Sequence, residues 1–81
     1  MKKDVIKTTL YFQEQVLKKR PYLKIKWCVD IINKELNKTI QTDSRIRFWG
    51  YIEEEKKYLR VITLEDGTLH NAFFDRNFKE K

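Results

Sequence analysis

The chain has 81 residues, of which 37% are charged and 41% hydrophobic, and a formal net charge of +6. A chain this short buries only roughly 60% of its unfolded surface, so it predicts one small domain, residues 1–81. Its strong apolar patterning excludes disorder, and no apolar run reaches the ~18 residues of a transmembrane helix, so no membrane partner is expected. The N-terminus lacks the apolar segment of a signal peptide. With one cysteine and one histidine, neither a disulfide nor a zinc site is expected, which predicts a cytoplasmic protein without a cofactor.

The positive charge is concentrated in the N-terminal third of the chain. Residues 1–26 carry eight basic and two acidic side chains, whereas the remaining residues carry ten of each. A clustered excess of this kind attracts polyanions, of which nucleic acid is the usual one. A solvated, lysine-rich helix surface is the alternative explanation, and charge alone leaves both open.

The first predicted helix covers about residues 9–20, after a flexible arm at residues 1–7 that can also add an edge strand. Thr8 or Thr9 can N-cap this helix, because a threonine hydroxyl accepts a hydrogen bond from an unpaired backbone N–H. Pro21 ends it, since proline lacks the N–H and disfavours helical geometry in the preceding residue.

A second helix is predicted over about residues 24–36. Trp27 and Ile31 lie along one ridge with Cys28 beside them, which gives a wide apolar face. Cys28 is therefore interpreted as a core residue rather than a nucleophile. Asn37 is expected to end the helix in the left-handed conformation that asparagine tolerates.

The rest of the chain alternates apolar and polar residues, which is typical of half-buried strands. Two turn dipeptides, Asp43-Ser44 and Asp66-Gly67, separate runs of this kind and predict hairpins. The fold class is therefore α+β, with two N-terminal helices packed on one face of a four-stranded antiparallel meander. The strands are expected at about residues 39–42, 45–53, 57–64 and 68–74, followed by a flexible tail at 77–81.

The last hairpin can close in two ways, and the choice decides where His70 points. A two-residue turn places Arg60 opposite Phe73 and buries the more apolar set of side chains. A three-residue loop with Gly67 left-handed pairs residue 64 with residue 68 and places Arg60 opposite Ala72. We predict the second register, because it puts His70 and Arg60, two candidate functional side chains, on one face.

Candidate catalytic residues follow from the needs of metal-free RNA cleavage, which are a base, an acid and cations for the phosphorane. His70 is the only side chain with an ordinary pKa near neutrality and is the candidate general acid or base. Arg47, Arg60 and Arg76 are the candidates for stabilising phosphate charge. The structural alternatives are a histidine that only packs, and arginines that pair with acids across strands, worth about 0.2–1 kcal/mol.

Candidate nucleic-acid-binding residues combine the basic cluster with one aromatic ring. They are Lys18, Lys19, Arg20, Lys24, Arg45 and Trp49. An exposed indole can stack on an unpaired base, which is worth ~1–3 kcal/mol. The alternatives are that Lys19 and Arg20 only compensate the C-terminal end of the first helix and that Trp49 is hydrophobic cover.

Four segments in chain order resemble the BrnT-type branch of the RelE-like small bacterial toxins. They are VLKKRPYL, RIRFWGY, YLRVITLEDG and HNAFFDR, at residues 16–23, 45–51, 58–67 and 70–76. The resemblance implies a ribonuclease that cuts messenger RNA and is paired with an antitoxin. By position, it assigns the basic helix end to Lys19 and Arg20, the strand arginines to Arg45 or Arg47 and to Arg60, and the C-terminal arginine to Arg76.

Two classes of function therefore remain. The first, favoured by the resemblance, is an RNA-binding, toxin-like ribonuclease with RNA and a cognate antitoxin as partners. The second is a non-catalytic domain that binds a protein or a nucleic acid through its open sheet face, as an uncharacterised bacterial domain of the same build. The sequence leaves a homo-oligomer open.

Overall fold

The computed structural model describes residues 6–79, and it confirms the α+β architecture. Helix α1 covers residues 10–19 and contains a π-helical segment, Phe12–Val16, followed by an α-helical turn, Leu17–Lys19. Helix α2 is Ile25–Lys34, and the strands are β1 Asn37–Ile40, β2 Ile46–Ile52, β3 Lys57–Thr63 and β4 Leu69–Phe74. The four strands form one antiparallel meander in the order β1-β2-β3-β4.

Helix α1 begins at a threonine cap. The Oγ1 atom of Thr9 accepts a hydrogen bond from the backbone N–H of Phe12 at 3.1 Å, which satisfies one donor of the first turn. The helix loses helical geometry at Arg20 (φ −127°, ψ 67°), one residue before Pro21, as proline requires. The N–H of Leu17 donates to the carbonyl of Phe12, five residues back, which is the π-helical bond.

Helix α2 ends earlier than predicted. Glu35, not Asn37, adopts the left-handed conformation (φ 48°), and its N–H donates to the carbonyl of Ile31 at 3.2 Å. Asn37 instead opens β1 opposite Trp49. Because the helix stops short, Leu36 lies outside it and is 74% exposed.

Both helices cover the same face of the sheet, as predicted. The core contains the buried side chains of both helices and of alternate strand residues, and Cys28 is fully buried within it. Burial raises the pKa of the Cys28 thiol to about 12, so it is an inert core residue. The other buried core residues are Phe12, Val16, Leu23, Trp27, Ile31, Phe48, Ile52, Leu59, Val61, Leu69 and Ala72.

Gly50 lets helix α2 lie directly on β2. A Cβ atom at this position would stand 2.5 Å from Cγ1 and 3.0 Å from Cδ1 of Ile31. The absence of a side chain therefore sets how closely Ile31 packs on the sheet.

The β3–β4 hairpin combines both predicted arrangements. The loop is the three-residue one, because the N–H of Leu64 donates to the carbonyl of Thr68 at 2.9 Å and Gly67 is left-handed (φ 91°). The predicted register is nevertheless wrong, since Arg60 lies opposite Phe73 and not opposite Ala72.

A one-residue β-bulge reconciles the loop with the register. Thr63 pairs with Leu69 and Ile62 with Asn71, so His70 is the extra residue without a direct partner. One extra residue reverses the alternation of β4, which returns Ala72 to the core face.

The predicted flexible segments lie partly outside the described residues, which exclude 1–5 and 80–81. In the described part of the arm, the N–H of Leu69 donates to the carbonyl of Lys7 at 2.7 Å, and Thr8 forms a parallel bridge to Leu69. In the described part of the tail, Phe78 packs on the sheet. Within residues 6–79, no helix has the length and apolar character needed to cross a membrane.

Candidate nucleic-acid interface

The face of the sheet opposite the helices carries arginines and aromatic rings in alternation. Arg20 reaches it from the end of α1, with its guanidinium carbon 5.8 Å from the ring centroid of Phe73. Arg60 lies 5.2 Å from Phe73 and 5.2 Å from Trp49, and Arg47 lies 5.7 Å from Trp49. Each distance is within the roughly 6 Å at which a ring attracts a cation. We call this row of residues the cation–aromatic ladder.

Asp75 follows β4 directly and fixes the middle of the ladder. Its Oδ2 atom accepts hydrogen bonds from Nε1 of Trp49 at 3.0 Å and from the guanidinium of Arg60 at 2.9 Å. The Trp49 bond and the Arg60 charge help to lower the pKa of Asp75, so its carboxylate is ionised at neutral pH. One acidic side chain therefore neutralises the central arginine and orients the indole.

The segment after Asp75 turns back across the sheet and covers Trp49. The N–H of Asn77 donates to Oδ1 of Asp75 at 3.0 Å, which forms a local turn. This turn places Phe78 parallel to Trp49 with 4.9 Å between centroids, and edge-on to Tyr58 at 5.0 Å. The indole of Trp49 is consequently buried, 8% exposed, and Phe78 occupies a position in which a base would stack.

Residues 18–24, which we call the basic connection, join the two helices and contribute, within the described part of the chain, both free and paired cations. Lys18 and Lys19 are exposed in the last turn of α1. Lys24 is paired with Glu54 at 3.0 Å and lies over the Trp27 ring at 5.2 Å, so its charge is partly compensated. The Lys24 and Trp27 hydrogen bonds lower the pKa of Glu54.

His70 lies at the opposite end of the α1–β4 contact from Arg20. Its Nδ1 atom is 3.1 Å from Oγ1 of Thr9, and its ring stacks on Tyr11 with 5.0 Å between centroids. Desolvation lowers the pKa of His70, and the positive charge of Arg45 lowers it further, so the imidazole is neutral at pH 7. Arg45 itself lies 3.7 Å from Asp43.

A cleft of about 300 Å³ opens where β3 begins and β4 ends. We call it the C-terminal cleft. Three cationic side chains, three aromatic rings and one carboxylate line it, and they are Lys56, Lys57, Arg76, Tyr58, Phe74, Phe78 and Asp75. The carboxylate is the one that binds Arg60 and Trp49, so the unpaired charge of this lining is positive. Among residues 6–79, no ion pair joins these three cations to an acid.

Phe74 connects the cleft with the basic connection. Nζ of Lys57 lies 5.5 Å from the Phe74 centroid, and the ring of Tyr22 stacks on Phe74 at 5.8 Å. Tyr22 belongs to the connection that contains Arg20 and is half exposed. The cleft and the connection thus form one continuous basic and aromatic surface.

The predicted catalytic residues lie at three separate places in the structure. Arg47 and Arg60 meet around Trp49, Arg76 lines the cleft, and His70 lies against α1. The Nε atoms of both Arg47 and Arg60 are buried without a hydrogen-bond partner within the described residues.

Sequence reasoning did not identify several residues that build this surface. They are Tyr22, Lys56, Lys57, Phe73, Phe74, Asp75 and Phe78. The consecutive rings of Phe73 and Phe74 were a usable signal, because neighbouring strand residues point to opposite faces and each ring here carries cations. Within the part of the chain that is described, no three His, Cys, Asp or Glu side chains cluster in a way that could hold a metal ion.

Comparisons of the chain with protein-family models, with curated proteins and with solved structures give no match. The class of protein is therefore defined by its architecture and surface alone, as a small α+β domain with a basic and aromatic face.

Proposed function

We propose that this protein binds single-stranded RNA across the end of β4. The observation that carries the proposal is that Phe73 and Phe74 lie beside cations from two other parts of the chain, the end of α1 and strand β3. Arg20 lies over Phe73 and Lys57 lies over Phe74. Arg60 also lies over Phe73, but its charge is compensated by Asp75. Sites for single-stranded nucleic acid usually combine cations that follow the sugar–phosphate backbone with aromatic rings that stack on bases.

Charge placement supports a flexible, polyanionic ligand rather than an acidic protein surface. Lys18 and Lys19 extend the basic surface beyond the rings, and phosphate contacts by such side chains release counterions from the nucleic acid. An unpaired strand suits the surface because its bases are free to leave a stack, whereas the grooves of duplex RNA are read by shape.

The test is the salt dependence of binding to a fluorescent single-stranded RNA. Replacing Lys19 and Arg20 by Ala removes two cations beside Phe73, so the affinity at low salt should fall and the plot of log K against log salt should become flatter by about one to two units. Lys34→Ala with Lys38→Ala is the matched control, because it removes the same charge near β1, at the other edge of the sheet. Equal affinities and slopes for wild type and both double variants would refute the proposal.

Cleavage of the bound RNA, as in the toxin-like ribonucleases, is the second candidate. The observation that favours it is that Thr9 and Tyr11 orient the ring of His70, whose pKa is lowered by desolvation and by Arg45, as suits a general base. Arg60 is less suited to stabilise phosphate charge during cleavage, since Asp75 compensates its charge. A cognate antitoxin encoded nearby is the proposed partner of this second function.

Induced expression in bacteria, with growth and RNA integrity followed together, tests for cleavage. If His70 acts as a general acid or base, His70→Ala should abolish cleavage while RNA binding stays at the wild-type level. His70→Asn is the matched variant, because an amide can replace the hydrogen bond to Thr9 but cannot take up a proton. Unchanged cleavage by both variants would exclude a catalytic role for His70.

A further inference from the structure

The C-terminal cleft has the size and the lining of a site for one nucleotide. We infer that it binds a nucleoside phosphate, with the base against its aromatic wall and the phosphate on Lys56, Lys57 and Arg76. The inference rests on the RNA-binding function proposed above and names one subsite of it. It concerns the end of the surface that Lys56, Lys57 and Arg76 form, which adjoins the basic connection through Phe74.

The backbone around the cleft is held by hydrogen bonds. The N–H of Asp75 donates to the carbonyl of Tyr58 at 2.9 Å, which ties the end of β4 to the start of β3. The N–H of Lys56 donates to the carbonyl of Ile52 at 2.7 Å, and Lys56 itself is left-handed (φ 54°). These bonds close the turn between β2 and β3 and hold Lys56 beside the cleft. The backbone that carries these cations is therefore held in place, which lowers the entropic cost of binding an anion.

Three aromatic rings form one wall of the cleft. Phe78 meets Tyr58 edge-on at an interplanar angle of 60°, and both line the cleft together with Phe74. A volume of about 300 Å³ is at the lower end of small-ligand sites, which fits a single nucleotide and not a longer segment.

The charges favour phosphate as the polar part of the ligand. Three cations line the cleft, and the lining carboxylate, Asp75, already accepts hydrogen bonds from Trp49 and Arg60. Glu53 and Glu55 belong to the adjacent turn but do not line the cleft. Arginine adds planar, paired donors that match phosphate oxygens.

The experiment is an NMR titration of the ¹⁵N-labelled full chain with AMP, adenosine and inorganic phosphate in separate series. AMP should shift the amide signals of Tyr58, Asp75 and Arg76. Adenosine and phosphate should bind at least about tenfold more weakly than AMP, because each supplies only half of the contacts. Absence of shifts at these amides with AMP would overturn the inference.

Variants separate the cleft from the rest of the basic surface. Lys57→Gln with Arg76→Gln should weaken AMP binding by about tenfold or more, since hydrogen bonds to charged groups are lost. Both side chains lie at the surface, so folding should be retained. Lys34→Ala with Lys38→Ala removes two cations at the other edge of the sheet and should leave AMP binding unchanged. If the Lys57 and Arg76 variant binds AMP as tightly as the wild type does, the phosphate assignment is wrong.

A further titration series with RNA distinguishes the two possible sources of the nucleotide, which are RNA and free nucleotides. A single-stranded oligonucleotide that shifts the same amides and binds more tightly than AMP identifies RNA as the source, whereas equal affinities identify free nucleotides. RNA binding without any AMP response would defeat the cleft inference and leave the proposed function standing. AMP binding without RNA binding would support the cleft as a nucleotide site and defeat the proposed function.

Discussion

The carboxylate of Asp75 and the indole of Trp49 are joined by a hydrogen bond of 3.0 Å. This contact links a residue just after the last strand to the middle of β2, across the open face of the sheet. The same carboxylate oxygen also binds Arg60 at 2.9 Å, and its side chain is only 9% exposed. Asp75 is therefore the acceptor on which the arrangement of the ladder depends.

Replacing Asp75 by Ala should destabilise the protein by about 1.5–3 kcal/mol, because a hydrogen bond to a charged acceptor is lost and buried donors remain unsatisfied. Asp75→Asn keeps an acceptor oxygen and should cost less. Urea unfolding followed by tryptophan fluorescence measures both variants. Asp43→Asn is the control, because the Asp43–Arg45 pair is exposed and 3.7 Å long, and it should change stability by less than about 1 kcal/mol. Equal losses for Asp75→Ala and Asp43→Asn would contradict the role given to Asp75.

Acid should remove the stabilisation that Asp75 provides. The pKa of this group is lowered on folding, chiefly by the hydrogen bond from Trp49. Its contribution is therefore complete above its ordinary pKa, near 3.8, and is lost as the pH falls through the lower folded value. Glu54 and Asp66 have lowered pKa values too, so the measurement is the difference in unfolding free energy between wild type and Asp75→Asn. This difference should shrink between pH 6 and roughly pH 2. A constant difference would contradict the assignment.

The imidazole of His70 should titrate below its ordinary pKa of 6.5. Because desolvation is the larger cause and Arg45 the smaller, Arg45→Gln should raise the pKa only part of the way to that value. Folding favours the neutral ring, so His70 contributes stability above pH 6.5 and loses it as the pH falls through the folded pKa. NMR titration of the ring protons measures this directly. A pKa above 6.5 in the wild type, or an unchanged pKa in Arg45→Gln, would refute the prediction.

Adding a methyl group at Gly50 should destabilise the packing of α2 on the sheet. The new Cβ would stand 2.5 Å from Cγ1 of Ile31, so Gly50→Ala should cost about 1–3 kcal/mol through overpacking. Ile31→Ala removes the atoms that clash, at a cost of its own from the lost burial. The double variant should lose less than the sum of the two single variants, which a double-mutant cycle in urea measures. Additive losses would show that the two positions are not in contact.

The architecture was accessible from the sequence because it depends on local patterns. Thr9 and Pro21 delimit α1 through hydrogen-bonding capacity and ring geometry, which do not depend on the rest of the fold. The alternation around Phe48 identified the core face of β2, and the Asp66-Gly67 dipeptide placed the β3–β4 turn but left two-residue and three-residue loops open. The end of α2 was misplaced by two residues because Glu35, a residue type that rarely is left-handed, adopts that conformation.

The candidate site could be predicted from the sequence only in part. Strand pairing and chain reversal bring its cations and aromatic rings together from distant positions. The basic residues Lys18, Lys19 and Arg20 were apparent from composition, but their neighbours were not. Phe78 reaches Trp49 only through the turn at Asp75, and Lys57 reaches Phe74 only because β3 begins beside the end of β4. Contacts of this kind depend on positions far apart in the chain.

The β3–β4 hairpin shows most clearly which structural features local sequence determines and which tertiary packing determines. The position of its turn follows from chemistry within a few residues, since Gly67 accepts the left-handed conformation at little cost. Its register does not, because Ala72 can enter the core only if β4 reverses its alternation after the loop. Burial of Ala72 against Val61 favours this reversal, and a bulge at His70 provides it. Apolar burial against the helices thus decided which face each side chain of β4 occupies, and it placed His70 beside Thr9 and away from Arg60.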